Sequence, residues 1–405
     1  MLLCYHSCMN YDLIVIGGGA AGIFAALSAK AARPAAKVLV LEKTAVLLSK
    51  VRISGGGRCN VTHHCFEPSH LCQHYPRGFK ELIGPFNRFQ PLDTIQWFET
   101  RGVPLKVEED GRVFPVTNRS ETIIECLLSE AKQIGVEIQV RKRIVQVLKE
   151  KSCFKIECKE GETYECSHLI LATGSSQEGH EWAKRLGHSI IAPVPSLFTF
   201  NVPTSPLLAL SGLAVDPVEI RIDGTSFSEK GPLLLTHFGF SGPAALKLSA
   251  WAARVLHEKN YQVELVINWL PELSQDEIFS QLSQLKKRVP QKILSGENLF
   301  QFPKNLWKAF SSEKKLNDLS LKELALLAQK LHSDSYKVEG KTTHKEEFVT
   351  CGGVSLKEID FKTMQSKLCP NLFFAGEILD IDGITGGFNF QNAWTTGFIA
   401  GKAAH

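Results

Sequence analysis

The chain has 405 residues, of which 44% are hydrophobic, 22% charged and 9% aromatic, enough apolar material for roughly two or three domain cores. That excludes a disordered tail, and the longest apolar stretch, Tyr11 to Ala29, is broken by Asp12 and by glycines short of the ~20 uncharged residues of a membrane-spanning helix. The net charge is only +4, and residues 271–345, with 13 Lys and Arg against 9 Asp and Glu, carry all of it.

The opening MLLCYHSCMN has neither the basic start nor the apolar run of a signal peptide. A cytoplasmic location is expected, and Met9 is an alternative start. The eleven cysteines are odd in number and widely spread, unlike a secreted disulfide scaffold. Cys4 and Cys8, Cys153 and Cys158, and Cys59, Cys65 and Cys72 all lack the CxxC pairing of a zinc site. Reduced thiols and no metal are expected.

From Tyr11 the chain reads as a strand (YDLIVIG), a glycine turn, an Ala-rich helix and a second strand (KVLVLEK) ending near Glu42. Parallel strands need such a crossover helix, so this is a βαβ unit and predicts a doubly wound sheet. Further strands are expected in GVEIQVRKRIVQVL from Gly135, in CFKIECK, in TYECSHLILATG up to Gly174, and in NLFFAGE from Asn371. Short alternating runs such as VEIRIDG and YQVELVINW predict antiparallel strands. The helical pattern then runs from Ser274 to about Ser333, where Ser320 and Glu323 have the spacing of a capping box. The expected organisation is a nucleotide-binding domain over 1–195 completed by 341–405, interrupted by a β-rich, barrel-like subdomain over 196–273 and a small helical one over 274–340. The fold class is α/β with a two-dinucleotide-binding, Rossmann-like domain.

Gly17-x-Gly19-x-x-Gly22 follows a buried strand and opens a helix, and Glu42 stands at the end of the next strand. The glycines let the backbone approach a pyrophosphate, the helix amino end (Ala20, Ala21) offers N–H groups, and an acid at 42 suits a ribose diol. FAD is favoured over NAD because two later strands end in candidate cofactor segments. These are Ala172, Thr173 and Gly174, and then Gly376 and Glu377 with Asp380 or Asp382. Gly386 and Gly387 precede Phe388, Asn389 and a helix expected through Ala393 to Ala403. Such a helix start can stabilise an anionic reduced flavin. KVRISGGGRCNVT adds Arg52, Gly56, Gly57, Arg58, Cys59 and Asn60, a run whose backbone can lie against a planar or anionic ligand. Lys43 beside Glu42 completes the expected cofactor set.

The motifs GGGAAG, SGGGRCNVT, DGRVFPVTNRS, THFGFSGPAAL, VTCGGVSLKEIDFKTMQSK and LFFAGEILDIDGITGGFNFQNAWTTGFIAG occur in this order from Tyr11 to Gly401. Together they resemble the BaiN/RdsA (YhiN-like) family of bacterial FAD-dependent oxidoreductases. The resemblance implies a split FAD domain with two inserted subdomains and reduction of activated C=C bonds. One branch is linked to dihydrouridine in large-subunit ribosomal RNA, another to bile-acid ring reduction. The chain departs from the family pattern at His63, Cys351 and Asn392, and in a shorter stretch after Gly174.

No second G-x-G-x-x-G follows a strand, so NAD(P)H is expected to visit the flavin transiently and to give way to the substrate. Saturating an alkene also needs a proton donor with a suitable pKa. Cys59, beside Arg58, is the first candidate because a neighbouring cation lowers a thiol pKa. Arg112 in DGRVFP and His237 in LTHFGFSG are further catalytic or substrate-site candidates, and a packing role is open for all three. Lys286, Lys287, Arg288, Lys292, Lys304, Lys308, Lys314 and Lys315 make the helical insertion basic and a candidate contact for ribosomal RNA phosphates. The expected activity is NAD(P)H-driven reduction of uridine in 23S ribosomal RNA. The alternatives are a reductase of a small steroid-like enone, or a flavin-bearing RNA-binding or assembly factor without essential turnover.

Overall fold

A computed structural model describes residues 9–342 and 349–404, so Met1, Cys4 and Cys8 lie outside the described residues. The chain forms two compact units whose boundaries fall at Val194/Pro195 and Phe348/Val349. The first is built on a nine-stranded sheet. Strand β1 (Met9–Ile16) leads into helix α1 (Ala20–Ala32) and strand β2 (Val38–Leu41). Leu13 to Ile16 and all of β2 are buried, as expected of apolar runs in a parallel sheet covered on both faces.

The run from Gly135 does not form one strand. It gives β3 (Glu137–Gln139), parallel to β2, and β4 (Ile144–Lys149), which enters an antiparallel meander with β5 (Phe154–Cys158) and β6 (Thr163–Leu171). Arg141, with φ of 59°, turns the chain between them. β6 pairs in parallel with β1 from Tyr164 to Leu171 and, through Leu169 to Leu171, with β7 (Leu372–Phe374), giving the parallel core order β7-β6-β1-β2-β3.

The closing helix α2 (Phe388–Ala403) begins five residues before Ala393, directly after Gly387, whose φ of 91° turns the chain into it. It packs on α1 almost backbone to backbone. A methyl group added to Gly401 would lie 2.1 Å from the Ala25 carbonyl oxygen, and one on Gly397 would lie 2.6 Å from that of Ala21.

The second unit carries a seven-stranded antiparallel sheet in the order Asp334–Glu339, Gln262–Asn268, Ala214–Ile222, Ser228–Leu235, Gly239–Ser241, Thr199–Asn201, Lys341–Thr342. Its helices include Gln275–Arg288, Lys304–Phe310 and Leu321–His332. Sheet and helices share one apolar core, in which Ile220, Leu265 and Ile267 meet Ile278, Leu282, Trp307 and Leu324. The Ser320–Glu323 capping box is formed, and a second one starts Gln275–Arg288 at Ser274 and Glu277. Among the described residues no helix is long and apolar enough to cross a membrane.

In the first unit, His188 ties the chain before Ile190 to the Ile359–Ser366 hairpin. Its fully buried ring lies 3.0 Å from a Glu358 carboxylate oxygen and 2.8 Å from the Ser366 hydroxyl. Burial pushes its pKa below the ordinary histidine value, and Glu358 recovers only part of the fall. The ring therefore stays neutral in the folded state at pH values where the unfolded chain already takes up a proton. Its stabilisation is intact above about pH 6.5 and is lost as the pH falls below that. Urea denaturation from pH 7.5 to 5 should show stability falling with acid, with up to about 1.4 kcal/mol per pH unit from this one proton. His188→Gln should flatten that slope; an unchanged slope would refute the assignment.

Candidate cofactor site

The dinucleotide segments read from the sequence lie where the parallel strands of the first unit end, the usual ligand position in open α/β sheets. The Gly17 N–H donates to the Leu41 carbonyl (2.9 Å), and a methyl on Gly17, at φ 114°, would sit 2.4 Å from the Ala172 carbonyl oxygen. The β1 turn thus lies directly on the end of β6. Glu42 accepts from Gly18 N (2.8 Å) through one oxygen and from Thr44 N and Oγ1 (both 2.8 Å) through the other. Its carboxylate is aimed before any ligand arrives. The end of β7 joins them, since a methyl on Gly376 would lie 2.7 Å from the Ala21 Cβ. Glu377 pairs with Lys50 (2.5 Å) and accepts from Thr350 N (3.0 Å), while Lys43 reaches Glu178 (3.2 Å) in an exposed pair. The stretch after Gly174 passes at once into the helix Gln177–Arg185, capped by Ser176.

The second glycine cluster interrupts the helical segment Ser49–Gly57, with Gly55, Gly56 and Gly57 all left-handed. Open space faces Gly56 and Gly57, as it does Gly19. Arg52 pairs with Glu121 (3.1 Å). Arg58 donates to Glu108 (2.6 Å) and stacks 3.9 Å over Phe114; Arg112 shares the same carboxylate (3.3 Å) and also holds Asp110 (2.6 Å). Cys59 departs from its expected chemistry. Its side chain is fully buried, and burial pushes the thiol up to about 12 despite a hydrogen bond with Ser54 that lowers it. The lowered pKa expected from Arg58 is overturned, because desolvation outweighs a cation committed to Glu108.

The last helix holds this loop in place. With its amide turned to satisfy its neighbours, Asn60 accepts from Gly387 N (2.9 Å) and donates to the Thr62 carbonyl (2.9 Å). Gln391, fully buried, accepts from the Thr62 (2.6 Å) and Thr94 (2.9 Å) hydroxyls and donates to Thr395 (3.0 Å). The Trp394 indole N–H donates to the Val61 carbonyl (2.9 Å). Two expected cofactor contacts are engaged within the protein. Asp382 is fully buried in an ion pair with Arg77, and the Asn389 amide closes its own loop on Gly383 N (2.9 Å) and Gly383 O (2.8 Å). A buried carboxylate needs such a partner, which explains Asp382. Thr62, Arg77, Thr94 and Gln391 escaped sequence reading; the polar run QNAWTT on a buried helix was the available signal.

His237 is exposed in the Thr236–Gly239 turn of the second unit, not among the first-unit residues above. In the same unit the Lys286 ammonium donates to the Leu319 and Asn317 carbonyls, and Lys314 pairs with Glu323 (2.8 Å). Lys287, Arg288, Lys292, Lys304, Lys308 and Lys315 are exposed. Segment 292–294 pairs antiparallel with 314–316, with Ile293 opposite Lys315, so Lys292 and Lys315 lie on neighbouring segments. Cys158, Glu160 and Glu162 have ligand atoms within 4.8 Å of one another, but Glu162 pairs with Lys142 and burial pushes Cys158 up to about 11. This chemistry does not favour a metal.

The donor set fits a dinucleotide. Neither α1 nor α2 has an acid in its first turn or a side-chain cap, so their amino-end N–H groups suit an anionic ligand. Open space faces the glycine backbone at Gly19, where α1 begins, and at Gly56 and Gly57. Sheet and loops together define a Rossmann-like flavoprotein fold. Residues 11–403 match the HI0933-like protein Rossmann domain, and the chain belongs to the HI0933-like (BaiN/RdsA) FAD oxidoreductase family. It is 29% identical to the ribosomal RNA dihydrouridine synthase of Escherichia coli K12, over 97% of this chain and 98% of that protein. It is 30% identical to the protein of the same name in Haemophilus influenzae, over 95% and 96%. The 3-dehydro-bile acid delta(4,6)-reductase of Clostridium scindens is 26% identical over 96% and 98%. Among solved structures, a flavocytochrome c3 fumarate reductase (TM-score 0.52, 18% identity, 98% of this chain and 78% of that one) shares the fold. So does a 3-ketosteroid-delta4-(5alpha)-dehydrogenase from Rhodococcus jostii RHA1 (TM-score 0.52, 15% identity, 99% and 98%).

Gln391→Leu should cost about 2–4 kcal/mol, because it leaves the Thr62 and Thr94 hydroxyls buried without an acceptor. Urea denaturation measures this, and a loss below about 0.5 kcal/mol would show that the network does not hold the loop.

Proposed function

We propose that this protein is an FAD-dependent reductase of an activated C=C bond, acting on uridine in 23S ribosomal RNA with NAD(P)H as reductant. The observation that carries the reading is collinearity over nearly the whole chain with two proteins named ribosomal RNA dihydrouridine synthase. The relative named as a bile-acid reductase supports the same bond chemistry and motivates a second reading, reduction of a small enone. Both reactions saturate a C=C bond polarised by a carbonyl group.

FAD, when bound, supplies a two-electron centre able to deliver hydride to an electron-poor carbon. The N–H groups at Ala20, Ala21 and Gly22 would hold its pyrophosphate, and Glu42 a ribose diol. Ala172 to Gly174, Gly376 and Glu377 would line its middle. Gly56, Gly57 and Asn60 would carry the flavin end, with Gly387 and Phe388 offering the amino end of α2 to negative charge on the reduced ring. Arg58 and Arg112, neutralised by Glu108 and Asp110, shape the neighbouring wall. The exposed cations Lys287, Arg288, Lys292 and Lys315 would take RNA phosphates.

Dihydrouridine in 23S ribosomal RNA, measured by mass spectrometry in a strain lacking this gene, its parent and a complemented strain, tests the reading. It should vanish and return; its presence in all three would leave the enone reading. Reversing the charge of Lys287, Arg288, Lys292 and Lys315 should weaken binding to 23S transcripts and reduce the log–log salt slope by about 0.7–0.9 per lost phosphate contact. An unchanged slope would remove these residues from the RNA interface.

A further inference from the structure

The second unit contains a cavity of about 300 Å³ bordered by the helices Lys304–Phe310 and Leu321–His332. Leu294, Phe310, Leu319, Leu324, Leu326 and Leu327 make its walls apolar, and Leu326 is 55% exposed. The volume stands at the small end for ligand sites, which run from about 300 to 1,000 Å³. It suits one ring-sized group better than a docked helix, which needs a row of anchors along a groove.

The polar groups on the same walls are of two kinds. Ser311 Oγ donates to the Trp307 carbonyl (2.6 Å) and has lone pairs left to accept, while Ser312 Oγ accepts from Lys314 N (3.1 Å) and has a proton left to donate. A planar ring with donors and acceptors on its edge, as in a nucleobase, matches that pair. The surroundings favour an anion. Residues 286–330 hold ten Lys and Arg against four Asp and Glu, a net of +6. Lys330 lines the cavity, with its Nζ 5.4 Å from the Phe310 ring centre, and Glu323 on the wall is paired with Lys314 (2.8 Å). Lys315 follows the Ser311–Ser312 wall, and Lys292 lies on the segment paired with it.

We propose that this cavity holds one unstacked base of a single-stranded stretch of ribosomal RNA, with the flanking phosphates on Lys330, Lys292 and Lys315. The inference rests on the RNA reading and gives the second unit a contact that phosphates alone do not provide. A base held against apolar and aromatic side chains fixes the strand in place. A paired and stacked base cannot enter, so the site selects unpaired RNA.

Fluorescence anisotropy with the FAD-loaded full-length protein tests this, using a short oligouridine, an abasic ribose-phosphate strand of equal length and a 23S transcript. The oligouridine should bind about 5-fold or more tighter than the abasic strand, the lower end of what one stacked base contributes. Leu326→Gln, at an exposed position, should remove that preference and leave abasic binding unchanged. Lys330→Gln should weaken both strands alike and reduce the log–log salt slope by about 0.7, the value for one single-strand phosphate contact. 4-Thiouridine in the oligouridine should photo-crosslink within residues 310–330. Equal affinity for the two strands, a preference that survives Leu326→Gln, or crosslinks confined to other segments overturns the base site. An unchanged slope overturns the phosphate contact at Lys330. A dimer that Leu326→Gln dissociates, or a 4-en-3-one steroid whose binding it abolishes, gives the cavity another occupant and overturns the proposal. Binding of the transcript without the oligouridine overturns the cavity site alone, whereas binding of neither overturns the RNA reading itself.

Discussion

The candidate site depends first on the contact between the first and last helices of the first unit. Gly397 lies on Ala21 and Gly401 on Ala25, so α1 and α2 run in the same direction at a separation only glycine and alanine allow. Dispersion contacts and apolar burial at such a seam are paid for by the absence of side chains. The seam brings segments from opposite ends of the sequence to one edge of the sheet, and it fixes α2 at the depth where Gly387 meets Asn60 and Thr62.

Polar bonds then set the loops. Gln391 and Trp394 reach from α2 to Thr62, Thr94 and Val61, while Arg77 holds Asp382 and the Tyr75 hydroxyl holds the start of the helix. Each bond contributes modestly when made, but leaving a buried partner unsatisfied is costly, so such a network specifies one arrangement. The glycine loop at 55–57, left-handed throughout, gains its definition from these neighbours and not from its own side chains.

Charge at the site is largely consumed internally. Glu108 holds two arginines, Glu377 holds Lys50, and Cys59 sits where burial outweighs any nearby cation. The same economy operates in the second unit, where Lys286 and Lys314 hold carbonyls and a carboxylate.

The nucleotide-binding strands, the glycine turn and Glu42 were legible in the sequence because their signals are local: a buried apolar run, a fixed spacing and an acid at the next strand end. The antiparallel segments and the Ser320 cap were legible for the same reason, as alternation and a three-residue offset. The roles of Asp382, Asn389 and Cys59 were not, because a carboxylate, an amide or a thiol reads alike whether it faces a ligand or is already bonded and buried. The break after Gln139 was hidden because strand pattern does not encode which neighbour a strand will pair with. Arg77 and Gln391 came only from the tertiary structure. Their partners lie up to 329 residues away, and no spacing rule spans a distance that packing alone closes.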